Sequence, residues 1–153
     1  MDLDTLLNKN QKEAATYLDS HLRIIAGAGS GKTRVVTYRI AHLIQDVGID
    51  PRSILAITFT NKAANEMKER VNEVVGIHGS GTLICTIHSL CVRFLRQHIN
   101  VLNYPSNFTI MDEEDQKALI KKLYTQLEID AKVISIKSMI NTISSYKTAR
   151  VSP

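Results

Sequence analysis

The sequence predicts an α/β fold in which a parallel β-sheet carries helices on both faces. An apolar strand, a polar loop and an amphipathic helix follow one another three times before residue 100, a repeat that requires parallel strands joined by crossover helices. The second strand, 54–59, is almost continuously apolar, which is typical of a parallel strand covered on both sides. After Pro105 the strand patterns give way to helical ones. We therefore expect an α/β unit over 1–106 and an all-helical segment over 107–153.

The composition is that of one ordinary globular domain. The chain has 153 residues, of which 44% are hydrophobic and 22% charged, enough apolar material to bury a sizeable core. A count of 19 basic and 15 acidic residues gives a net charge of +4. Because the basic residues are spread thinly, charge alone does not indicate nucleic-acid binding, and such an argument must rest on particular residues.

The cysteines and the N-terminal residues indicate the cellular location of the protein. Cys85 and Cys91 have no companion His or Cys at zinc-ligand spacing, so we expect reduced core thiols. The first residues include Asp2 and Asp4, whereas a signal peptide begins with basic residues. No apolar run reaches the ~18 residues that a membrane span needs. These features predict an intracellular, cytoplasmic protein with no membrane partner.

The first helical pattern covers residues 5–20. Apolar residues recur there at helical spacing, and Asn8 or Asn10 could cap a helix that runs through Gln11. The planar amide of a glutamine can pair with N6 and N7 of adenine. Spacing alone, however, favours a solvated helix glutamine at position 11.

A glycine-rich loop follows the first predicted strand, Leu22 to Ile25, and leads into a helix predicted over 32–45. Strand, glycine-rich loop and helix are the context of a phosphate-binding loop, in which backbone N–H groups and the helix dipole cradle a polyphosphate. Lys32 would reach the β- and γ-phosphates, and the Thr33 hydroxyl would help to bind Mg²⁺. The alternative is a flexible turn. The predicted loop comprises Ala26, Gly27, Ala28, Gly29, Ser30, Gly31, Lys32 and Thr33, with Ala26 where the usual pattern G-x-x-x-x-G-K-[ST] has Gly.

Two more polar clusters follow predicted strands. Residues 58–62 end the strand over 54–59, and residues 86–89 end a strand predicted over 82–87. Ligands of parallel sheets gather at the carboxyl ends of the strands. Either cluster alone is compatible with ordinary turn chemistry, but both are predicted to lie on the edge that carries the phosphate loop.

The last third of the chain is predicted to be helical. The acidic run Asp112 to Asp115 begins a helix that extends through Leu127, and Asp112 with Asp115 resembles a capping box. We interpret the run as a helix start rather than a metal site. Residues 131–150 are expected to form one or two short helices.

Three segments together resemble a known family. Ala-Gly-Ala-Gly-Ser-Gly-Lys-Thr-Arg at 26–34, Ile-Thr-Phe-Thr-Asn-Lys-Ala-Ala at 57–64 and Thr-Ile-His-Ser at 86–89 resemble motifs I, Ia and Ib of the UvrD/Rep/PcrA group of superfamily 1 DNA helicases, and are most similar to its Gram-positive PcrA branch. The resemblance implies a RecA-like P-loop NTPase fold whose sheet is incomplete here. Residues from 107 onward would then begin the helical insertion called subdomain 1B.

The resemblance also assigns residues. Gln11 and Arg34 would contact adenine, and Gly29 to Thr33 the phosphates of ATP and its Mg²⁺, with Lys32 and Thr33 as catalytic residues. The residues implied to contact single-stranded DNA are Thr58, Phe59, Thr60, Asn61, Lys62, Thr86 and His88. Independently of the family, Phe59 could stack on a base, a contact worth about 1–3 kcal/mol without sequence preference. Ile87 stands where the family usually has Phe.

The family's next motif, an Asp-Glu-x-x-Asp box with the magnesium-binding Asp and the catalytic Glu, does not occur in the sequence. Phosphoryl transfer needs such groups. We therefore expect the N-terminal fragment of a longer ATP-dependent 3′–5′ helicase of DNA repair or replication restart, inactive by itself. Its parent would act on single strands and duplex junctions at the bacterial nucleoid, and surfaces left open would favour self-association. The alternatives are a self-contained nucleotide-binding regulatory module and, less favoured, a small P-loop kinase.

Overall fold

A computed structural model of the protein describes residues 1–151 and contains seven α-helices and two β-strands. The helices are α1 (Leu3–Leu6), α2 (Lys9–Thr16), α3 (Lys32–Gln45), α4 (Asn61–Val75), α5 (Ile87–His98), α6 (Glu113–Gln126) and α7 (Ile136–Thr148). The strands are β1 (Leu55–Thr58) and β2 (Leu83–Thr86). The chain divides into two compact units, Met1–Leu102 and a second that begins at Asn103. No helix within 1–151 is long and apolar enough to cross a membrane.

The sheet consists of β1 and β2, which pair in parallel with Leu55 opposite Leu83 and Thr58 opposite Thr86. The prediction of a parallel sheet from strands 54–59 and 82–87 is confirmed in these two shorter strands. Helix α4 connects them, as a parallel crossover requires. The register brings the carboxyl ends of both strands to the same edge.

Helices α3 and α4 cover one face of this sheet, whereas the expectation of helices on both faces stays a prediction. On the covered face Ala56 and Ile84 pack in a core with residues of α3 and α4: Ile40, Ala41, Met67, Val71 and Val75. On the other face Leu55 and Ile57 are each 48% exposed. Helix α5 contacts β2, but none of its residues is fully buried although its apolar residues recur at helical spacing.

The predicted strand over Leu22 to Ile25 does not form. The segment has no ladder hydrogen bonds, and the exposed fraction of Ile25 reaches 87%. A strand needs a neighbour for its N–H and C=O groups, but β1 and β2 pair only with each other among residues 1–151. An apolar pattern predicts burial but does not identify a neighbouring strand. The prediction failed because no such strand pairs with this segment within residues 1–151.

A second, smaller core fixes the N-terminal helices against the start of α3. It contains Leu3, Leu7, Ala15 and Val35. Of the two asparagines predicted as caps, Asn8 caps α2, since its side chain accepts a hydrogen bond from the N–H of Gln11 at 3.0 Å. This packing places α2 beside the glycine-rich loop.

In the second unit, α6 begins with the predicted capping box. Asp112 accepts from the N–H of Asp115, and the Asp115 carboxylate accepts from the N–H of Asp112. The acidic run is therefore a helix start, and no group of three or more His, Cys, Asp or Glu in residues 1–151 could hold a metal ion. The last two positions of the predicted 107–153 segment lie outside the described residues. Both cysteines are free, but Cys91 is exposed, so the expected core location is wrong for that thiol.

Candidate nucleotide site and nucleic-acid edge

Two glycines give the predicted phosphate loop its shape. Gly29 and Gly31 have φ angles of 74° and 82°, in the left-handed region that residues with a Cβ rarely adopt. A Cβ at Gly31 would also lie 2.8 Å from Nε2 of Gln11. At Gly27, by contrast, a Cβ would meet no atom within 4 Å. The loop therefore requires glycine at positions 29 and 31.

The N-terminus of α3 has no side-chain cap. Its N-cap residue is Gly31, whereas the other six α-helices of residues 1–151 each begin with a side chain that accepts a backbone N–H. Intrahelical bonding begins with the Val35 N–H, which donates to the Gly31 carbonyl at 3.0 Å. The donors of the first turn and the positive end of the dipole are thus available to an anion.

The Lys32 ammonium lies over the loop. Nζ donates to the carbonyl oxygens of Gly27 at 2.6 Å and Ala26 at 3.2 Å. The Gly27 carbonyl also accepts from the Ser30 hydroxyl at 2.8 Å, which closes the turn. The contribution of Ala26 here is its backbone carbonyl, which alanine supplies as well as glycine. The ammonium can exchange these carbonyls for phosphate oxygens without leaving the loop.

Gln11 links α2 to the loop. Its side-chain oxygen accepts from the N–H of Asn8 at 3.1 Å, and its Nε2 donates to the Ser30 carbonyl at 3.1 Å. A glutamine amide has two donor hydrogens and two acceptor sites, so one of each remains for a ligand. The amide is held in place by the protein before a base arrives.

A cleft of about 500 Å³ lies beside the loop, within the size range of small-molecule sites. Polar groups of Gln11, Ser30 and Lys32 line it together with apolar side chains that include Ile24 and Val36. A largely apolar cleft that is also lined by an amide and a cation suits a purine nucleotide.

Two predicted residues of this site, Thr33 and Arg34, do not line the cleft. The Arg34 guanidinium lies 5.7 Å from the ring centroid of Tyr38 and lines a separate cleft with Arg70 and Glu73. Thr33 is exposed on the first turn of α3. The structure thus brings Gln11, Ala26, Ser30 and Lys32 to one cleft, and Arg34 to another.

The predicted DNA-contacting residues lie at the carboxyl ends of β1 and β2, where Thr58 pairs with Thr86. Phe59 is 90% exposed, and Asn61 and Lys62 are exposed in the first turn of α4. The Thr60 hydroxyl accepts from the Ala63 N–H at 3.1 Å and caps α4. Residues 59–62 are therefore all exposed at this edge.

The same arrangement recurs one strand away. Thr86 is buried, with 6% of its surface exposed, and its hydroxyl accepts from the Ser89 N–H at 3.2 Å. The hydroxyls of Thr86 and Ser89 also hydrogen-bond at 2.9 Å. His88 and Ile87 project from the start of α5 and are exposed. Thr86 therefore fixes the helix start, while His88 is the accessible side chain.

Sequence reasoning missed Arg39 as a support of the site. Its Nη1 donates to three carbonyls at the end of α2, those of Tyr17 at 2.6 Å, Ala14 at 3.1 Å and Ala15 at 3.4 Å. This contact fixes the helix that carries Gln11. No pattern in the sequence indicates it, because the carbonyls lie more than 20 residues before the arginine. The capping role of Thr60 and Thr86 did have a signal, since each threonine directly precedes a helix.

One carboxyl group at the far end of α3 has a perturbed pKa. The hydrogen bond from His42 Nδ1 at 2.7 Å lowers the pKa of Asp46, assisted by the Met1 ammonium at 3.2 Å. The C-terminal end of α3 thus carries an ion pair between His42 and Asp46.

Comparisons with known proteins identify the family of the chain. Residues 7–153 match the model of the UvrD/REP helicase N-terminal domain. Over 147 residues the chain is 46% identical to the ATP-dependent DNA helicase PcrA of Bacillus subtilis (strain 168) and 45% identical to PcrA of Staphylococcus aureus (strain Mu50) and of Staphylococcus epidermidis. These alignments cover 96% of this chain and 20% of each relative, so the chain spans about a fifth of their length. The chain belongs to the UvrD/REP helicase N-terminal domain family.

Proposed function

We propose that this chain is the part of an ATP-dependent DNA helicase that binds ATP and single-stranded DNA. The observation that carries the proposal is the uncapped N-terminus of α3, with the Lys32 ammonium over the loop and the Gln11 amide in the same cleft. The relatives named as ATP-dependent DNA helicases support it.

Residues of α2, the loop and α3 would each bind a different part of the nucleotide. The loop N–H groups and Lys32 would hold the β- and γ-phosphates, Thr33 would bind Mg²⁺, and the free donor and acceptor of Gln11 would read adenine. Arg34 reaches the nucleotide only by leaving Tyr38, since its present cleft does not include the loop. Bound Mg²⁺–ATP supplies the phosphoanhydride bond whose hydrolysis would drive movement.

Single-stranded DNA would bind along the carboxyl edge of β1 and β2. Phe59 can stack on a base, Lys62 and His88 can contact phosphates, and the Asn61 amide can donate to backbone oxygens. Thr60 and Thr86 use their hydroxyls as caps, so we propose that they position these side chains, with Thr58 between them. Because nucleotide and DNA sites lie on one unit, occupation of one could be coupled to the other.

The finer features of the function are part of the proposal. We propose movement in the 3′–5′ direction, action on single strands and duplex junctions, a role in DNA repair or replication restart, and work at the nucleoid in the bacterial cytoplasm. We also propose that residues from 107 begin a helical insertion. The open sheet face with Leu55 and Ile57 supports self-association of the chain as it stands.

The test measures ATP hydrolysis and binding by the purified 153-residue chain. Because the sequence contains no Asp-Glu-x-x-Asp box, we expect weak binding of Mg²⁺–ATP and of oligothymidylate, with no hydrolysis above buffer. Lys32→Ala should abolish the nucleotide binding and leave the DNA binding intact. Robust DNA-stimulated hydrolysis that disappears in Lys32→Ala would overturn the proposed lack of activity, and absence of both binding events would overturn the proposal as a whole.

A further inference from the structure

A second cleft lies in the first unit, between α4 and α5 along β2. Its volume is about 780 Å³. Lys68 and Asn72 line it from α4, and Arg93 and Arg96 line it from α5. None of these residues belongs to the motifs at 26–34, 57–64 or 86–89.

The cleft is cationic. Its lining contains three basic side chains and no aspartate or glutamate, whereas the cleft lined by Arg34 and Arg70 also contains Glu73. Lys68 and Arg93 are exposed and therefore accessible to a ligand. A concave surface lined by one sign of charge concentrates ions of the opposite sign, so this cleft attracts anions.

The cleft also offers uncharged hydrogen-bonding groups. Thr82 lines it, and the buried Thr82 hydroxyl has no hydrogen-bond partner among residues 1–151. A buried polar group left unpaired costs about 1–3 kcal/mol, which an acceptor oxygen would relieve. The Asn72 amide can donate to such an oxygen as well.

The cleft continues from the proposed DNA edge. Ser89 lines it, and the Ser89 hydroxyl bonds that of Thr86 at the end of β2. Ser89, Arg93 and Arg96 are spaced i, i+4 and i+7, and so lie on one face of α5. This row therefore starts with Ser89, next to His88, and runs along the helix for about two turns to Arg96.

We propose that this cleft binds the phosphodiester backbone of single-stranded DNA that continues beyond the edge formed by Phe59, Lys62 and His88. The inference rests on the proposed DNA-binding function and extends it by a second group of contacts. Guanidinium groups suit phosphate oxygens, and contacts to the backbone carry no sequence preference.

The first test is an NMR titration of the ¹⁵N-labelled chain with an oligothymidylate of roughly 10 nucleotides. We expect shifts at the Nε–H groups of Arg93 and Arg96 and at the Thr82 amide, in addition to residues 58–62 and 86–88. Shifts confined to 58–62 and 86–88 would overturn the cleft and leave the proposed function standing. Shifts confined to the cleft would support the inference and overturn the proposed edge, and an absence of shifts would overturn both.

The second test compares the salt dependence of oligothymidylate binding. Lys68→Gln with Arg93→Gln removes two exposed charges of the cleft, and the slope of log K against log salt should become shallower by about 1.4, since each phosphate contact on a single strand contributes about 0.7. Lys121→Gln with Lys122→Gln removes two exposed charges from α6 in the second unit and should leave the slope unchanged. Equal slopes in both double variants would contradict the proposal.

Discussion

Helix α3 begins differently from α4 and α5. At α3 the N-cap is Gly31, with no side chain to accept an N–H, whereas Thr60 and Thr86 cap α4 and α5 with hydroxyls that accept from Ala63 and Ser89. An uncapped helix leaves its donors to a ligand. A capped helix has already used a donor, so ligand contact falls to neighbouring side chains. The first arrangement suits phosphates that are bound by N–H groups of the protein backbone. The second suits a nucleic acid that is bound by side chains.

The largest effect is expected from a Cβ at the uncapped helix. Gly31→Ala forces φ of 82° on an L-residue, which costs about 1–2 kcal/mol, and displaces the Gln11 amide that would lie 2.8 Å from the new Cβ. We expect the free energy of unfolding to fall by about 2 kcal/mol and Mg²⁺–ATP affinity to fall by at least about tenfold. Urea denaturation and calorimetric titration measure the two effects.

Gly27→Ala is the matched control, because a Cβ at position 27 meets nothing within 4 Å. Its unfolding free energy and nucleotide affinity should stay within about 0.5 kcal/mol of the parent. Equal losses in the two variants would mean that the left-handed turn at Gly31 has no special role.

Phe59 directly precedes the cap of α4. Phe59→Ala should weaken DNA binding without changing the stability of the fold. The ring is 90% exposed, so its removal should leave the unfolding free energy unchanged. Loss of a base stack should weaken oligothymidylate binding by about 1–3 kcal/mol, or roughly 5- to 150-fold. Fluorescence anisotropy measures the affinity, and unchanged affinity would remove Phe59 from the DNA edge.

Thr86→Val should show the converse. Valine keeps the shape of the buried side chain but cannot cap α5, so we expect the unfolding free energy to fall by about 1–2 kcal/mol. Thr86→Ser retains the hydroxyl and should recover most of this loss. If Thr86→Val were as stable as the parent and bound DNA less tightly, the threonine would be a direct contact and its capping role would be minor.

The smallest effect concerns the ion pair between His42 and Asp46 at the C-terminal end of α3. The pKa of Asp46 is lowered by His42, so in the folded state its carboxylate stays ionised below the ordinary value of about 3.9. Its stabilising contribution is therefore present above about pH 4 and is lost as pH falls through the lowered pKa. Urea denaturation of Asp46→Asn and the parent should show a stability difference at pH 6 that shrinks below pH 4. A difference that does not change with pH would contradict this.

The sequence was informative where local chemistry decides the structure. Helix 32–45, the parallel strands and the Asp112 capping box follow from periodicity, glycine placement and capping residues close together in the chain. The unformed strand at Leu22 to Ile25, the open sheet face at Leu55 and the Arg39 contact all depend on partners distant in sequence, which an apolar pattern does not identify. The candidate site divides in the same way, since the loop could be predicted but the separation of Arg34 from Gln11 could not.

The most direct measurement is an NMR titration of the ¹⁵N-labelled chain with Mg²⁺ and a non-hydrolysable ATP analogue. If the uncapped N-terminus of α3 is the phosphate site, the largest amide shifts will occur at 29–34 with a smaller change at the Gln11 side chain, and Lys32→Ala will weaken binding by at least about tenfold. The capped starts of α4 and α5 will not shift. Equal shifts at the Ala63 and Ser89 amides, or unchanged affinity in Lys32→Ala, would contradict the account.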